Sequence, residues 1–231
     1  TPIKSSAASD VYKRQIPDSV TSIEGNAFVG CNNLEYNEYD NAYYLGNETN
    51  PYLVLVKAKD TSITSCVISE QTKVIYDSAF RDCTGLLSAV IGNSVTSIGD
   101  RAFYNCSGLA SVTIGNGVTS IGSSAFYNCS GLASVTIPDS VTSIGYAAFR
   151  NCTGLTSVTI PDSVTYIGYY AFEGCTGLTS VTFKNTTGWY YALSSTATSG
   201  TSLSSISLAD SSTAAQWLTS DYSRYYWKCG V

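Results

Sequence analysis

The chain has 231 residues, 44% of them apolar and 13% charged, and its twelve basic and seventeen acidic side chains give a formal net charge of −5. That is long enough for one domain with a real core, and the acidic balance excludes the basic footprint that a phosphate backbone needs, so no nucleic-acid partner is expected. The absence of His removes Ser-His-Asp and Cys-His catalysis, histidine bases and His metal sites; no cofactor and no metal are expected, and the chain is read as not an enzyme.

No apolar run approaches the length of a membrane helix, the longest being Tyr52-Leu53-Val54-Leu55-Val56. The chain also lacks Met, which implies a fragment or processed product whose start codon is not represented.

Self-comparison organises the rest. Three consecutive segments, 109–131, 132–154 and 155–177, follow LxSVTIxxxVTxIGxxAFxxCxG without insertion or deletion, a period of 23 residues. Phe80, Phe103, Phe126, Phe149 and Phe172 mark it once per unit, and Cys83, Cys106, Cys129, Cys152 and Cys175 follow three positions later. The opening LxxVxI alternates like a strand with one buried face. Pro-Asp-Ser or Gly-Asn-Gly then turns the chain, a second short strand follows, and the Ala-Phe-x-x-Cys segment is expected to be a short helical turn. One unit cannot seal a core, so units must stack. The expected fold is an α/β, β-rich solenoid with a parallel sheet, a second short strand and a short helical turn per repeat.

In chain order, residues 1–15 fit neither the repeat nor a signal peptide, because Ser5 to Gln15 lacks an apolar stretch. They resemble the in-frame translation of a transposase-type sequencing adapter and are expected to be unstructured. Without them nine basic stand against sixteen acidic residues, −7. The solenoid is expected over 16–183. It opens on the tail of a unit, Ile16 to Ile23 with Cys31, and contains an irregular 29-residue unit at 34–62, where Tyr52 to Lys57 reads as an extended segment or hairpin replacing the helical turn. Eight rungs result when partial units are counted. Residues 184–231 lose the pattern but keep Trp189, Trp217, Tyr222, Tyr225, Tyr226 and Trp227, and are read as a C-terminal cap with Ser211 or Ser212 starting a short helix through Leu218.

The consensus IPDSVTSIGxxAFxxCxGLTSVTI over residues 16–183 resembles the BspA-like leucine-rich repeat family of bacterial surface and secreted proteins, also abundant in some parasitic protists. The resemblance implies adhesion to host proteins or attachment between cells, and it carries over no catalytic residue. The expected function is a non-catalytic, secreted or cell-surface recognition module that binds an extracellular protein or glycan as a monomer. The alternative is a structural spacer displaying another domain.

Candidate chemistry is weighed against packing. The eight cysteines contain no CxxC pair, so the repeated ones and Cys66, in a core Val position, read as buried free thiols, with Cys229 the exposed exception. Asn105, Asn128 and Asn151 match the glycosylation pattern only because the period repeats it; Asn47 and Asn185 are the better matches. Thr113, Thr136, Thr159 and Thr182 form a column of solvated strand residues. Asp139 and Asp162 occupy equivalent turns, where capping of local backbone outweighs a glycosidase pair. Tyrosine, at eighteen, is in excess. Tyr146, Tyr166, Tyr169 and Tyr170 stand where other units have Ser, Asp or Arg, and they form the candidate binding patch.

Overall fold

The computed structural model describes residues 15–230 except 24, 26, 29 and 32, and except the side chain of residue 206. All but the last residue of the adapter-like segment 1–15 thus lies outside the described residues. Two sheets face each other across one core. The first is parallel and six-stranded: Cys66–Val67, Ser88–Ile91, Ser111–Ile114, Ser134–Val135, Ser157–Ile160 and Ser180–Phe183. Its register repeats unit by unit, with Ser157 opposite Ser180 and Ile160 opposite Phe183. The fold is the solenoid that the repeat predicts, with six strands in this sheet where eight rungs were counted.

The second sheet has eleven strands, and its parallel centre runs through Val54–Ala58, Val74–Ile75, Ser97–Ile98, Ser120–Ile121, Ser143–Ile144 and Tyr166–Ile167. Both ends turn antiparallel. At one end Asn37–Tyr39, Ala42–Leu45 and Val54–Ala58 form a meander. At the other, Tyr226–Cys229 pairs with Tyr166–Ile167 and with Trp189–Ala192, which pairs with Thr201–Ser202.

The Ala-Phe-x-x-Cys segment differs from the expected helical turn. Its backbone N–H groups alternate between two partners. Arg101 donates to Ser123, Phe103 to Ala125 and Asn105 to Tyr127 of the next rung at 2.7–2.8 Å, while Ala102, Tyr104 and Cys106 close three-residue turns within their own rung. The residues two before and two after each Phe lie in the left-handed region, as at Arg101 (φ 56°) and Asn105 (φ 60°). A continuous helix would spend every N–H inside the rung. This ribbon instead gives each rung a third ladder to its neighbour.

Stacking in register puts like on like. The five Phe rings lie parallel at centroid distances of 5.0–5.3 Å, close to the spacing of hydrogen-bonded strands. Thr119 and Thr142, one place after the core Val, donate their hydroxyls to Thr96 and Thr119 carbonyls of the preceding rung. The glycine column has a steric cause: a Cβ on Gly122 would sit 2.7 Å from the Gly99 carbonyl carbon.

The irregular unit is extended, as expected. Ala42–Leu45 pairs antiparallel with Val54–Ala58, and Ala58 donates to Ala79 where a later rung would use its Phe N–H. The turn that leads into this hairpin, between Asn37–Tyr39 and Ala42–Leu45, also caps the first sheet, since Asp40 accepts from the Val67 N–H at 2.6 Å and Asn41 donates to the Ser65 carbonyl at 2.8 Å. The same hairpin displaces the unit that precedes it. The described residues of 16–28 join neither sheet, and Ile16, Val20, Ile23 and Ala27 pack on the outer face of the second.

At the C-terminal end, Trp189 and Trp227 pack on Phe183, and the helices Ser205–Ala209 and Ser211–Gln216 cover the Ser180–Phe183 strand. The residue that starts the second helix is Asp210 and neither expected serine. Its carboxylate accepts from the Thr213 N–H at 2.8 Å and from Ser212 Oγ at 2.7 Å, and the helix widens into a π turn at Trp217–Asp221.

Phe126 is the middle ring of the stack and fully buried. Phe126→Ala should cost about 3–5 kcal/mol in denaturant unfolding. The loss should appear as earlier exchange of the two neighbouring rungs, which native-state hydrogen exchange resolves.

Candidate recognition face

Four columns of side chains leave the core along the ribbon and the second strand, and their composition changes along the solenoid. The place after the conserved glycine holds Asp77, Asp100 and Ser123, then Tyr146 and Tyr169. The second-strand place holds Ser97, Ser120 and Ser143, then Tyr166. The next ribbon place ends on Tyr170, and the place after Phe holds Arg81, Tyr104, Tyr127, Arg150 and Glu173. In the first two columns small polar or acidic residues thus give way to tyrosine at the C-terminal rungs, and in the last tyrosine gives way to Arg150 and Glu173.

Of the four sequence-predicted tyrosines the structure brings Tyr146, Tyr169 and Tyr170 into direct ring contact, and Tyr166 joins them through Tyr226. Tyr146 lies 6.3 Å from Tyr169 with parallel rings and 6.0 Å from Tyr170, and Tyr169 meets Tyr170 edge-on at 4.2 Å. Tyr226, from the last strand, completes the patch: its ring is 5.6 Å from Tyr169 and 6.0 Å from Tyr166. Tyr226 belongs to the aromatic C-terminal segment, but only the antiparallel pairing of Tyr166 with Lys228 puts it here. Tyr146 is 44% exposed, and Tyr166, Tyr169, Tyr170 and Tyr226 are half-buried.

The patch continues as a ladder towards the N-terminal rungs. The Arg150 guanidinium lies 4.7 Å from the Tyr170 ring and 5.8 Å from Tyr127, and pairs with Glu173 at 2.7 Å. Tyr127 stacks on Tyr104 at 4.8 Å, and Arg81 covers Tyr104 at 5.3 Å. Burial, then Tyr226, raises the Tyr166 hydroxyl above its ordinary value; the hydrogen bond with Tyr170, then desolvation, raises Tyr169. Both phenols are therefore neutral hydrogen-bonding groups around neutral pH.

The other candidates resolve into packing. Cys106, Cys129, Cys152 and Cys175 are buried free thiols that donate to the carbonyls of Phe80, Phe103, Phe126 and Phe149 of the preceding unit at 2.9–3.1 Å. Burial pushes Cys83 up to about 11 and Cys66 and Cys129 up to about 12, and Cys106 rises further still. Cys152 is raised first by its hydrogen bond with the Cys175 thiol and then by burial. Cys229 is half-buried, and so is Cys31, which the sequence pattern had counted among the core thiols.

Asn105, Asn128 and Asn151 all sit at φ 60°, a conformation that Asn tolerates, and Asn128 donates to Asn105 at 2.7 Å and Asn105 to Asp82 at 3.0 Å. Asp139 is exposed and pairs with Lys184 at 2.7 Å, so it does not cap its own turn; Ser140 instead donates to the Val118 carbonyl at 2.7 Å. Among the described residues no group of three or more His, Cys, Asp or Glu side chains could hold a metal ion.

This sequence pattern and geometry match a known model. The BspA-type leucine-rich repeat model matches six copies over residues 6–48, 58–178 and 99–217. The chain belongs to this family.

Among solved structures, the T. pallidum leucine-rich repeat protein TpLRR is 31% identical with a TM-score of 0.54, over 55% of this chain and 62% of that one. The pneumococcal vaccine antigen PcpA, 18% identical with a TM-score of 0.55 over 71% of this chain and 38% of that one, shares the fold. A leucine-rich repeat protein from Bacteroides ovatus is 28% identical, with a TM-score of 0.48 over 64% of this chain and 39% of that one. The chain thus spans less than two thirds of the length of each. No curated protein matches it. No helix among the described residues is long and apolar enough to cross a membrane.

Two outcomes follow for these BspA-type rungs. An unfolded thiol ionises near its ordinary value of 9.0, whereas the folded rungs hold theirs protonated to about 11–12, so the stability present below pH 9 is lost progressively as pH rises towards 12. Urea midpoints followed by Trp fluorescence should fall between pH 9 and 11; a constant midpoint would contradict the burial. Asn128→Ala should cost about 1–2 kcal/mol and Asn128→Gly distinctly less, because only the former opposes a left-handed backbone.

Proposed function

We propose that this chain is a non-catalytic recognition module, secreted or held at the cell surface, that binds an extracellular protein or glycan through Tyr146, Tyr166, Tyr169, Tyr170 and Tyr226. The observation that carries this reading is the convergence of five tyrosines from two rungs and the C-terminal strand on one face. Packing alone does not call for them, since equivalent places in other rungs are filled by Ser123, Ser124 and Ser143.

Tyrosine joins apolar area to a hydrogen-bonding tip at little conformational cost, and Tyr and Arg dominate binding hot spots. Arg150 and Arg224 stand at this patch, Arg150 through its contact with Tyr170 and Arg224 through its field on Tyr169. The rigid rungs beneath hold the rings in place before binding. In this reading the span 16–183, with the described residues of its first unit laid across the second sheet, is the recognition solenoid, 184–231 is its cap, and the module acts as a monomer.

The test uses substitutions that the repeat itself supplies: Tyr146→Ser, Tyr166→Ser, Tyr169→Ser and Tyr170→Ser together. Saturable binding of the unaltered chain to immobilised extracellular-matrix proteins or a glycan array should fall at least about tenfold in the variant, with its circular dichroism unchanged. Binding that survives the four changes would refute the patch. No saturable binding by either protein would favour the spacer role.

A further inference from the structure

Residues 16–31 carry the repeat pattern, IPDSVTSI followed by Ala27-Phe28 and Cys31, as do 137–152 and 160–175. The described residues among them nevertheless form no rung. Their place beside Val54–Ala58 is taken by Ala42–Leu45. Ile16, Val20, Ile23 and Ala27, the residues that a rung turns inward, pack instead on the outer face of the second sheet and build a second core with Leu45, Leu53, Val54, Val56, Val74 and Tyr76.

The receiving surface differs from the rungs that follow it where the unit lies. Val54 and Val74 stand in the column that continues as Ser97, Ser120 and Ser143; Val56 and Tyr76 stand in the column that continues as Gly99, Gly122 and Gly145. The four apolar residues are buried, whereas the serines and glycines that follow are half-exposed. A cleft of about 250 Å³ marks the step between them, lined by Ser22 and Gly25 of the unit and by Ser97, Gly99, Asp100 and Ser120. Apolar residues on an outer face would cost solubility unless covered, so their coincidence with the docked unit is complementarity built into the sequence.

The attachment is also of a different kind from rung stacking. Among the described residues the unit makes one backbone-to-backbone hydrogen bond to the rest of the chain, Ile16 N–H to Gly46 at 3.0 Å. Side chains supply the rest: Asn47 donates to the Ile16 carbonyl and to Asp18, Lys73 donates to the Asp18 carbonyl at 3.0 Å, and Phe28 lies 5.0 Å from Tyr76. Each true rung, by contrast, is tied to its neighbour by three ladders.

We infer that the strip Val54, Val56, Val74 and Tyr76 is a receptor surface for a repeat unit laid side-on, and that unit 16–31 docks on it and releases from it as one body while the solenoid stays folded. The partner this surface fits is a leucine-rich repeat unit presented by its inward residues, here the chain's own. Because the contact uses side chains and no strand pairing, it joins a unit to the array without extending the array.

The test gives the strip the residues of the next rung, Val74→Ser with Tyr76→Gly, in the full chain. Limited chymotrypsin digestion followed by mass spectrometry reads cleavage after Phe28, and the emission of Trp189, Trp217 and Trp227, all in the C-terminal segment, reads the solenoid independently. Cleavage after Phe28 should accelerate about tenfold or more, with Trp emission and the resistance of residues 80–183 unchanged. Val20→Ser with Ile23→Ser, which leaves the solenoid's sequence untouched, should reproduce the effect. Unchanged cleavage in both variants, or cleavage that rises only together with loss of the Trp signal in both, would overturn the inference.

Discussion

The structure depends on one constraint, the fixed hydrogen-bonded distance between successive rungs. Once the first sheet, the second strand and the ribbon are each laddered to the next unit, every side chain lies about 5 Å from its counterpart 23 residues away. A residue is then judged against its own copy. Phe is selected because parallel rings fill that spacing, and Thr because its hydroxyl reaches the preceding carbonyl. Gly is selected where the neighbouring backbone comes within 2.7 Å of any Cβ. The Cys column follows the same logic, since a small apolar group with a weak donor satisfies both the core and the carbonyl of the Phe in the unit before.

The same constraint shapes the face on which recognition is proposed. Columns that point outward are free to change from rung to rung, because only inward columns must match. Aspartate and serine therefore pass into tyrosine along one line without disturbing the backbone, and side chains that are distant in sequence meet on adjacent rungs. Arg150 shows how tightly the ladder couples neighbours, holding Glu173 at 2.7 Å while covering Tyr170 and Tyr127. A scaffold of this kind supplies positional precision, and the identity of the exposed columns supplies chemistry.

Much of this was legible in the sequence because the period is exact where the structure is regular. The Phe and Cys columns, the parallel strands and the exposed Thr column follow from alternation within a unit and repetition between units. The grouping of Tyr146 with Tyr169 and Tyr170 follows as well, since 23 and 24 residues both mean adjacency in a stack, whereas Tyr166 joins them through Tyr226. What the pattern does not encode is the path of the backbone between columns. The ribbon's alternation of left- and right-handed residues looks like a helical turn when only Ala, Phe and Cys are counted; Asn at the left-handed place is the signal of the ribbon, and its spacing to Ser or Thr is what makes it match the glycosylation pattern. Tyr226 was hidden because antiparallel closure by the last strand has no periodic signature. The misplaced first rung has a related cause: residues 16–31 satisfy the repeat locally, and only the competing hairpin at 42–58 decides that Ile16, Val20, Ile23 and Ala27 lie across the sheet.

The central claim, that register between rungs governs the fold, is tested most directly by deleting one unit in phase and out of phase. Removal of residues 109–131, 23 in all, should leave a cooperatively unfolding protein with its Trp environment intact, because every column closes on its own copy. Removal of 109–130 shifts each inward residue by one place and should abolish the cooperative transition. Equal folding of the two deletions, followed by Trp fluorescence through urea unfolding, would contradict the account.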